Sequence, residues 1–309
     1  MFNQMSLIIA IGLAPLLVLS GLLTTPVTSH SEPEAIPAIV QASWLSQNLK
    51  NSNLVVVDVR TSEAYKAGHI PESITLPFAD TELWWSTGAN ETLVMPSREV
   101  ITKTMGLNGL LADRWVVLVA DTRQLPGDVA MATRTAATLR YAGIPIGQVA
   151  ILDGGLPAWS AAGLPVTVQV GVPRPGTFSP RLDASFIVDR EDVRARIGKA
   201  ASGTVIIDAR GKDGFDQMHI KSAVSLPATN AFATGGAWKT PQELTSLFKA
   251  AVGDSPVANG EVIVYCRIGM LATVWFYALS SILGLENVKL YDGSLEDWVK
   301  YYETVSGKS

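Results

Sequence analysis

The chain's single cysteine, Cys266, stands in the run Cys266-Arg267-Ile268-Gly269-Met270-Leu271-Ala272, directly after the apolar stretch Glu261-Val262-Ile263-Val264-Tyr265. A lone cysteine is open to three readings: a small buried hydrophobe, a bystander or a reactive thiol. Free cysteine is among the most buried residue types, which favours the first. Its neighbours favour the third. A loop joining a strand to a helix gathers backbone N–H groups that, with the helix dipole, stabilise an anion. Arg267 adds a positive charge, and both effects favour the thiolate over the thiol. Gly269 lets the backbone curl with no side chain in the way. A thiolate in such a cradle is a nucleophile for sulfur, and the same cradle suits a persulfide, which is also an anion. One cysteine excludes an internal disulfide and a Cys-rich metal site. No metal ion or other cofactor is expected.

The elements that would hold this loop emerge from an internal repeat. Val55-Val56-Val57-Asp58-Val59-Arg60 recurs as Val205-Ile206-Ile207-Asp208-Ala209-Arg210. Ala67-Gly68-His69-Ile70 recurs as Gln217-Met218-His219-Ile220, and Leu76-Pro77 as Leu226-Pro227, all at one offset. Asp153-Gly154-Gly155 with Trp159 answers Asp292-Gly293-Ser294 with Trp298. The chain is therefore read as two copies of one domain, residues 38–168 and 181–305. Residues 169–180 form a linker marked by Gly171-Val172-Pro173-Arg174-Pro175-Gly176. Each copy carries short β-rich runs: 54–59, 116–120 and 148–152, then 204–208, 261–265 and 287–291. Helical stretches at Ala130–Tyr141 and Met270–Leu283 each stop at a glycine. Such alternation predicts an α/β fold in which each copy is a parallel sheet covered by helices on both faces. Reactive groups in such sheets gather at the carboxyl ends of strands, where Cys266 stands.

Repetition also sorts the other candidates. His69 and His219 occupy matched positions, and the first copy lacks a nucleophile, so both are read as structural. Asp58 with Arg60 and Asp208 with Arg210 are read as ion pairs near strand ends, with Asp208 and Arg210 held as supporting residues behind Cys266. Trp84, Trp85 and Trp238 are read as packing or interface residues, and Arg123, Asp128 and Arg134 as surface or interface groups.

The chain has 309 residues, room for two domains, and a net charge of -4. No basic stripe points to nucleic acid. Leu7–Leu23 is an uncharged apolar run, and no Lys or Arg precedes Lys50. Residues 1–29 read as a secretory signal peptide, with an uncleaved anchor as the alternative. The expected location is the periplasm or another exported compartment, with membrane contact only if the segment stays attached.

Taken together, Asp-x-Arg, Gly-His-Ile-Pro, Asp-Gly-Gly with Trp, and a Cys-Arg-x-Gly loop resemble the tandem rhodaneses, the thiosulfate and 3-mercaptopyruvate sulfurtransferases. The resemblance covers residues 38–305. It implies two rhodanese-like domains, an inactive first and a catalytic second, with Asp121 set opposite Cys266 in the repeat. It implies that Cys266 takes sulfane sulfur from a small donor as a persulfide and passes it to cyanide, a thiol or a protein acceptor. The loop Arg267, Ile268, Gly269, Met270, Leu271 and Ala272 would bind the substrate. Arg267 matches the thiosulfate branch. That branch often has lysine where Ile268 stands and arginine where Gly214 stands, so the donor is left between thiosulfate-like and mercaptopyruvate-like compounds. Lys212 would replace the missing arginine only by turning inward. The alternative function is a persulfide carrier that serves a partner protein with little small-molecule turnover. Related phosphatases need Cys-x5-Arg, and Ala272 fills the arginine's place. A redox-sensor thiol lacks a resolving cysteine.

Overall fold

The computed structural model describes residues 34–79, 82–88, 91–199, 203–253 and 260–307. Residues 1–29, read above as a leader, lie outside them. Among the described residues no helix is long and apolar enough to cross a membrane.

The first half contributes strands β1 (Ile39–Val40), β2 (Leu54–Asp58), β3 (Ile74–Thr75), β4 (Trp115–Val119) and β5 (Val149–Leu152). The second contributes β6 (Ile187–Val188), β7 (Val205–Asp208), β8 (Ala223–Ser225), β9 (Val262–Tyr265) and β10 (Val288–Tyr291). Each half forms a five-stranded parallel sheet, ordered β1-β5-β4-β2-β3 and β6-β10-β9-β7-β8. The six runs that predicted strands are β2, β4, β5, β7, β9 and β10, the short edge strands β1, β3, β6 and β8 lie outside them, and the α/β expectation holds for both halves.

Side chains alternate across a strand, so each sheet has two apolar faces. Val55, Val57, Val116, Leu118, Val149 and Ile151 share one core with Val205, Ile207, Val262, Val264, Val288 and Leu290 of the second half. The opposite faces build separate outer cores around Trp159 in the first half and Trp298 in the second. Cys266 follows the alternation of Val262 and Val264 and so belongs to the shared core. Chain pattern thus puts the thiol between the two halves.

Helices Gly127–Ala142 and Ala272–Tyr277 pack together in that shared core. Their small residues allow close approach, and the Thr133 and Thr273 hydroxyls meet at 2.8 Å. The second helix is shorter than expected, beginning at Ala272. It continues through a wider turn over Ala278–Ile282, closed where Leu283 N–H donates to the Ala278 carbonyl.

The remaining repeat motifs act as ties. Asp58 is fully buried and accepts from the Arg60 side chain at 2.6 Å, while Arg60 Nη2 also donates to the Gly68 carbonyl. Asp208, Arg210 and the Met218 carbonyl repeat the arrangement. His69 stacks on Tyr65 and His219 on Phe215, each with Nδ1 against the carbonyl four residues back. Trp84 is fully buried and donates to the Leu76 carbonyl, and the Trp85 indole donates to the Phe78 carbonyl. Trp238 packs on Phe232 and Tyr277. The stretch read as a linker is strapped down: Gly171 N–H donates to the Tyr65 hydroxyl, Arg174 to the Ser52 carbonyl and Gly176 N–H to the Gly106 carbonyl.

Candidate active site

Cys266 leaves the carboxyl end of β9 with only 1% of its surface exposed. Its backbone N–H donates to the Ser294 hydroxyl at 3.1 Å, and its carbonyl accepts from Leu295 N–H at 3.3 Å. The Ser294 hydroxyl in turn donates to the Tyr291 carbonyl at 2.9 Å. The turn after β10 therefore clamps the residue on both sides. Ser294 does this from a left-handed backbone, φ 52°, which is uncommon for residues other than glycine.

Beyond Cys266, four of the next five carbonyls are engaged by protein donors. Arg267 O accepts from Glu296 N–H, Met270 O from Thr273 N–H and the Thr273 hydroxyl, and Leu271 O from Val274 N–H. Gly269 O accepts from Arg134 Nη1 at 3.3 Å. Among the described residues, the N–H groups of Arg267, Ile268, Gly269, Met270 and Leu271 donate to no protein acceptor. Most carbonyls engaged and successive N–H groups free is the arrangement of an anion-binding loop. Gly269 makes the curl with φ +78°, where an added Cβ would lie 2.3 Å from the Asp292 carbonyl oxygen.

The other residues singled out in the sequence fall around this loop as follows. Arg267 is exposed, Ile268, Met270 and Leu271 are half-buried, and Ala272 is buried. Burial works to raise the Glu296 carboxyl, but the hydroxyl and N–H of Thr92, with the charges of Lys300 and Arg267, hold it below the ordinary range. Thr92 belongs to the first half, so a segment of that half reaches the rim of the loop. Asp208 pairs in register with Tyr265, next to the thiol. It accepts from Arg210 N–H, Nε and Nη2. Burial works to lower the Arg210 guanidinium, and Asp208, with smaller contributions from Tyr265 and Cys266, holds it above its usual value. Lys212 does not turn inward: it pairs along its helix with Asp216 at 2.8 Å.

One expectation is overturned. The position matching Cys266 in the first half is Ala120, not Asp121. In the sheets Asp58 pairs with Val119 and Asp208 with Tyr265, so the next residues, Ala120 and Cys266, correspond. The turn bonds agree: Leu156 N–H donates to Ala120 O as Leu295 N–H donates to Cys266 O. The apolar runs 116–120 and 262–265 differ in length by one residue, and aligning them end to end slips the register. Asp121 follows Ala120 and fills its own loop. Its carboxylate accepts from Thr122 N–H at 2.8 Å, Arg123 N–H at 3.1 Å and Arg123 Nε at 2.9 Å.

Ser294 was not singled out in the sequence, although a signal existed. The first copy has glycine at the equivalent Gly155, where an added Cβ would lie 2.2 Å from the Ala120 carbonyl oxygen. A serine in a glycine's place marks a hydroxyl retained despite the backbone. Ser294→Gly should relieve the left-handed backbone but strip the buried Cys266 N–H of its acceptor. The expected result is a Cys266 thiol about tenfold slower to react, from the roughly 1–3 kcal/mol of an unsatisfied buried donor. Rapid-quench mass spectrometry measures it.

The rhodanese-like domain matches the chain twice, over residues 41–162 and 189–301. The chain belongs to the rhodanese family. It is 30% identical over 282 residues to a probable 3-mercaptopyruvate sulfurtransferase of Pseudomonas aeruginosa, covering 84% of this chain and 94% of that protein. It is also 30% identical over 311 residues to a putative thiosulfate sulfurtransferase of Synechococcus elongatus, covering 95% and 91%. Among solved structures it resembles SseA of Escherichia coli, described as a 3-mercaptopyruvate sulfotransferase with the rhodanese fold. That likeness has a TM-score of 0.70 and 26% identity, over 84% of this chain and 99% of SseA. This rhodanese is a tandem-domain sulfurtransferase, a transferase acting on a sulfur donor and an acceptor.

Proposed function

We propose that this rhodanese transfers sulfane sulfur through a persulfide on Cys266, held by the N–H groups of Arg267, Ile268, Gly269, Met270 and Leu271. The observation that carries the reading is the row of N–H groups without protein acceptors next to a clamped, buried cysteine. With a thiosulfate-like donor, the Cys266 thiolate attacks the outer sulfur. The donor S–S bond breaks and sulfite leaves with the electron pair. The remaining Cys–S–S⁻ carries one negative charge, which the loop dipoles and the nearby Arg267 stabilise. An acceptor thiolate or cyanide then attacks the outer sulfur and releases the Cys266 thiolate, completing a two-step covalent cycle. With a mercaptopyruvate-like donor a C–S bond breaks instead, and the leaving carbon takes up a proton.

Asp208 supports the site indirectly, by fixing Arg210 and the strand end beside Tyr265. The first domain, with Ala120 in the nucleophile's place and its loop filled by Asp121, carries no sulfur.

A donor screen read by intact mass tests the proposal. Thiosulfate and 3-mercaptopyruvate are each incubated with the protein, and Cys266→Ser is the control. A gain of about 32 Da, one sulfur on the covalent intermediate, is expected with at least one donor and absent from the control. Turnover to cyanide then separates an enzyme from a carrier. Single loading without release would assign the protein to the carrier role, delivering sulfur to a protein acceptor.

We also propose that the protein is exported, supported by the uncharged run Leu7–Leu23 and the absence of Lys or Arg before Lys50. Cell fractionation with the mass of the mature N-terminus checks this. A full-length protein in the cytosolic fraction would overturn it.

A further inference from the structure

Arg134 lies in the middle of helix Gly127–Ala142 of the first domain and is completely buried. A fully buried arginine is rare unless it is paired, because a buried charge is costly. Its side chain forms an ion pair with Asp292 and donates to the Gly269 carbonyl at 3.3 Å. Nε and Nη2 find no acceptor among the described residues. Every polar contact of this side chain therefore runs out of its own domain and into the second. The two contacts also meet each other, since Gly269 is packed directly on the Asp292 carbonyl. Asp292 opens the turn whose Ser294 holds the Cys266 N–H.

The choice of Gly269 as anchor matters for the loop's polarity. With no Cβ, glycine is the least restricted residue about its own Cα–C bond, so the Gly269 carbonyl, whose direction that bond sets, is the loop carbonyl most able to swing. A trans peptide carries its C=O and N–H on opposite sides. Holding the Gly269 oxygen on the Arg134 side sends the Met270 N–H the other way. If the peptide turned over, a carbonyl oxygen would stand where the N–H stood, and it would repel an anionic sulfur.

Resting on the reading of Cys266 as sulfur carrier, we propose that Arg134 is a positioning residue of the sulfur loop. Supplied by the first domain, it pins the Gly269 carbonyl so that the 269–270 peptide presents its N–H to the sulfur on Cys266. The inactive domain thereby sets the anion affinity of the active one. The reverse contact is of another kind: Asp153 of the first domain accepts from the Trp238 backbone N–H of the second, with no buried cation involved.

The test uses the whole protein and three variants: Arg134→Lys, Arg134→Met and Arg134→Met/Asp292→Asn. The double variant removes the unpaired carboxylate that Arg134→Met alone would leave buried, so that folding and loading are read separately. Thermal unfolding reports the first. Single-turnover gain of about 32 Da on Cys266 reports the second, with kcat and KM measured for the same donor. The expected result is loading at least tenfold slower in the double variant, seen in kcat more than in KM, at a near-native unfolding midpoint. Arg134→Lys, which keeps the charge and a donor, should regain most of the rate. Near-native loading in a folded double variant would overturn the proposal and make Arg134 simple interface glue. Slow loading that lysine fails to rescue would overturn the pinning of the carbonyl. Absence of loading in the unmutated protein would instead defeat the reading of Cys266 itself.

Discussion

Cys266→Ser is expected to abolish sulfur loading while leaving the fold intact. The substitution keeps the backbone contacts with Ser294 and Leu295, and the smaller hydroxyl fits where the thiol sat. A hydroxyl in the shared core costs about 1–3 kcal/mol if it finds no partner, small beside a two-domain core. Chemistry suffers far more. Serine oxygen is a poor attacker of sulfur and forms no stable counterpart of the persulfide. Turnover should drop by about three orders of magnitude or more, as when a nucleophile is removed from other covalent enzymes. The chain has one cysteine, so an adduct in the unmutated protein has a single thiol to sit on. Intact mass after donor exposure, beside a cyanide turnover assay, checks both halves of the expectation. A mass gain on the serine variant, or turnover near the native rate, would remove Cys266 from the mechanism.

Much of this arrangement was readable in the chain because it depends on local pattern. The strands declare themselves as β-branched runs, and the alternation through Val262 and Val264 assigns Cys266 to the inner face. The repeat exposes His69 and His219, or Asp58 and Asp208, as parts of the frame, because each recurs in a copy with no nucleophile. Register was less legible. Runs of unequal length hid that Ala120, not Asp121, corresponds to Cys266, and only the pairing of Asp58 with Val119 and of Asp208 with Tyr265 decides it. Least legible was Arg134. It sits among alanines and threonines in a helix of the first copy, 135 residues from Gly269 and 158 from Asp292. No spacing rule spans such distances. A lone cation in a run otherwise fit for burial was its only mark.

Gly269→Ala is the second substitution with a large expected effect, and it acts through shape rather than chemistry. An alanine at φ +78° is strained by about 1–2 kcal/mol relative to glycine. Its methyl would also stand 2.3 Å from the Asp292 carbonyl oxygen, a backbone atom that cannot swing aside. The loop must lift off the Asp292 turn, which carries Gly269 O away from Arg134 and displaces the N–H row proposed to hold the sulfur. Misplacement of a reacting group by about 1 Å can cost roughly a hundredfold in rate, and sulfur loading should fall by at least that factor. Stability should fall by about 1–3 kcal/mol. Gly214→Ala gives the contrasting case. Gly214 is inside a helix, and a methyl there would meet the Arg210 guanidinium at an ordinary 3.6 Å. Relief of glycine's entropy in a helix should raise stability by about 0.5–1 kcal/mol with loading unchanged. Urea unfolding of both variants with quenched-flow loading separates the two glycines. Equal effects at both positions would mean that the Gly269 curl does not shape the cradle.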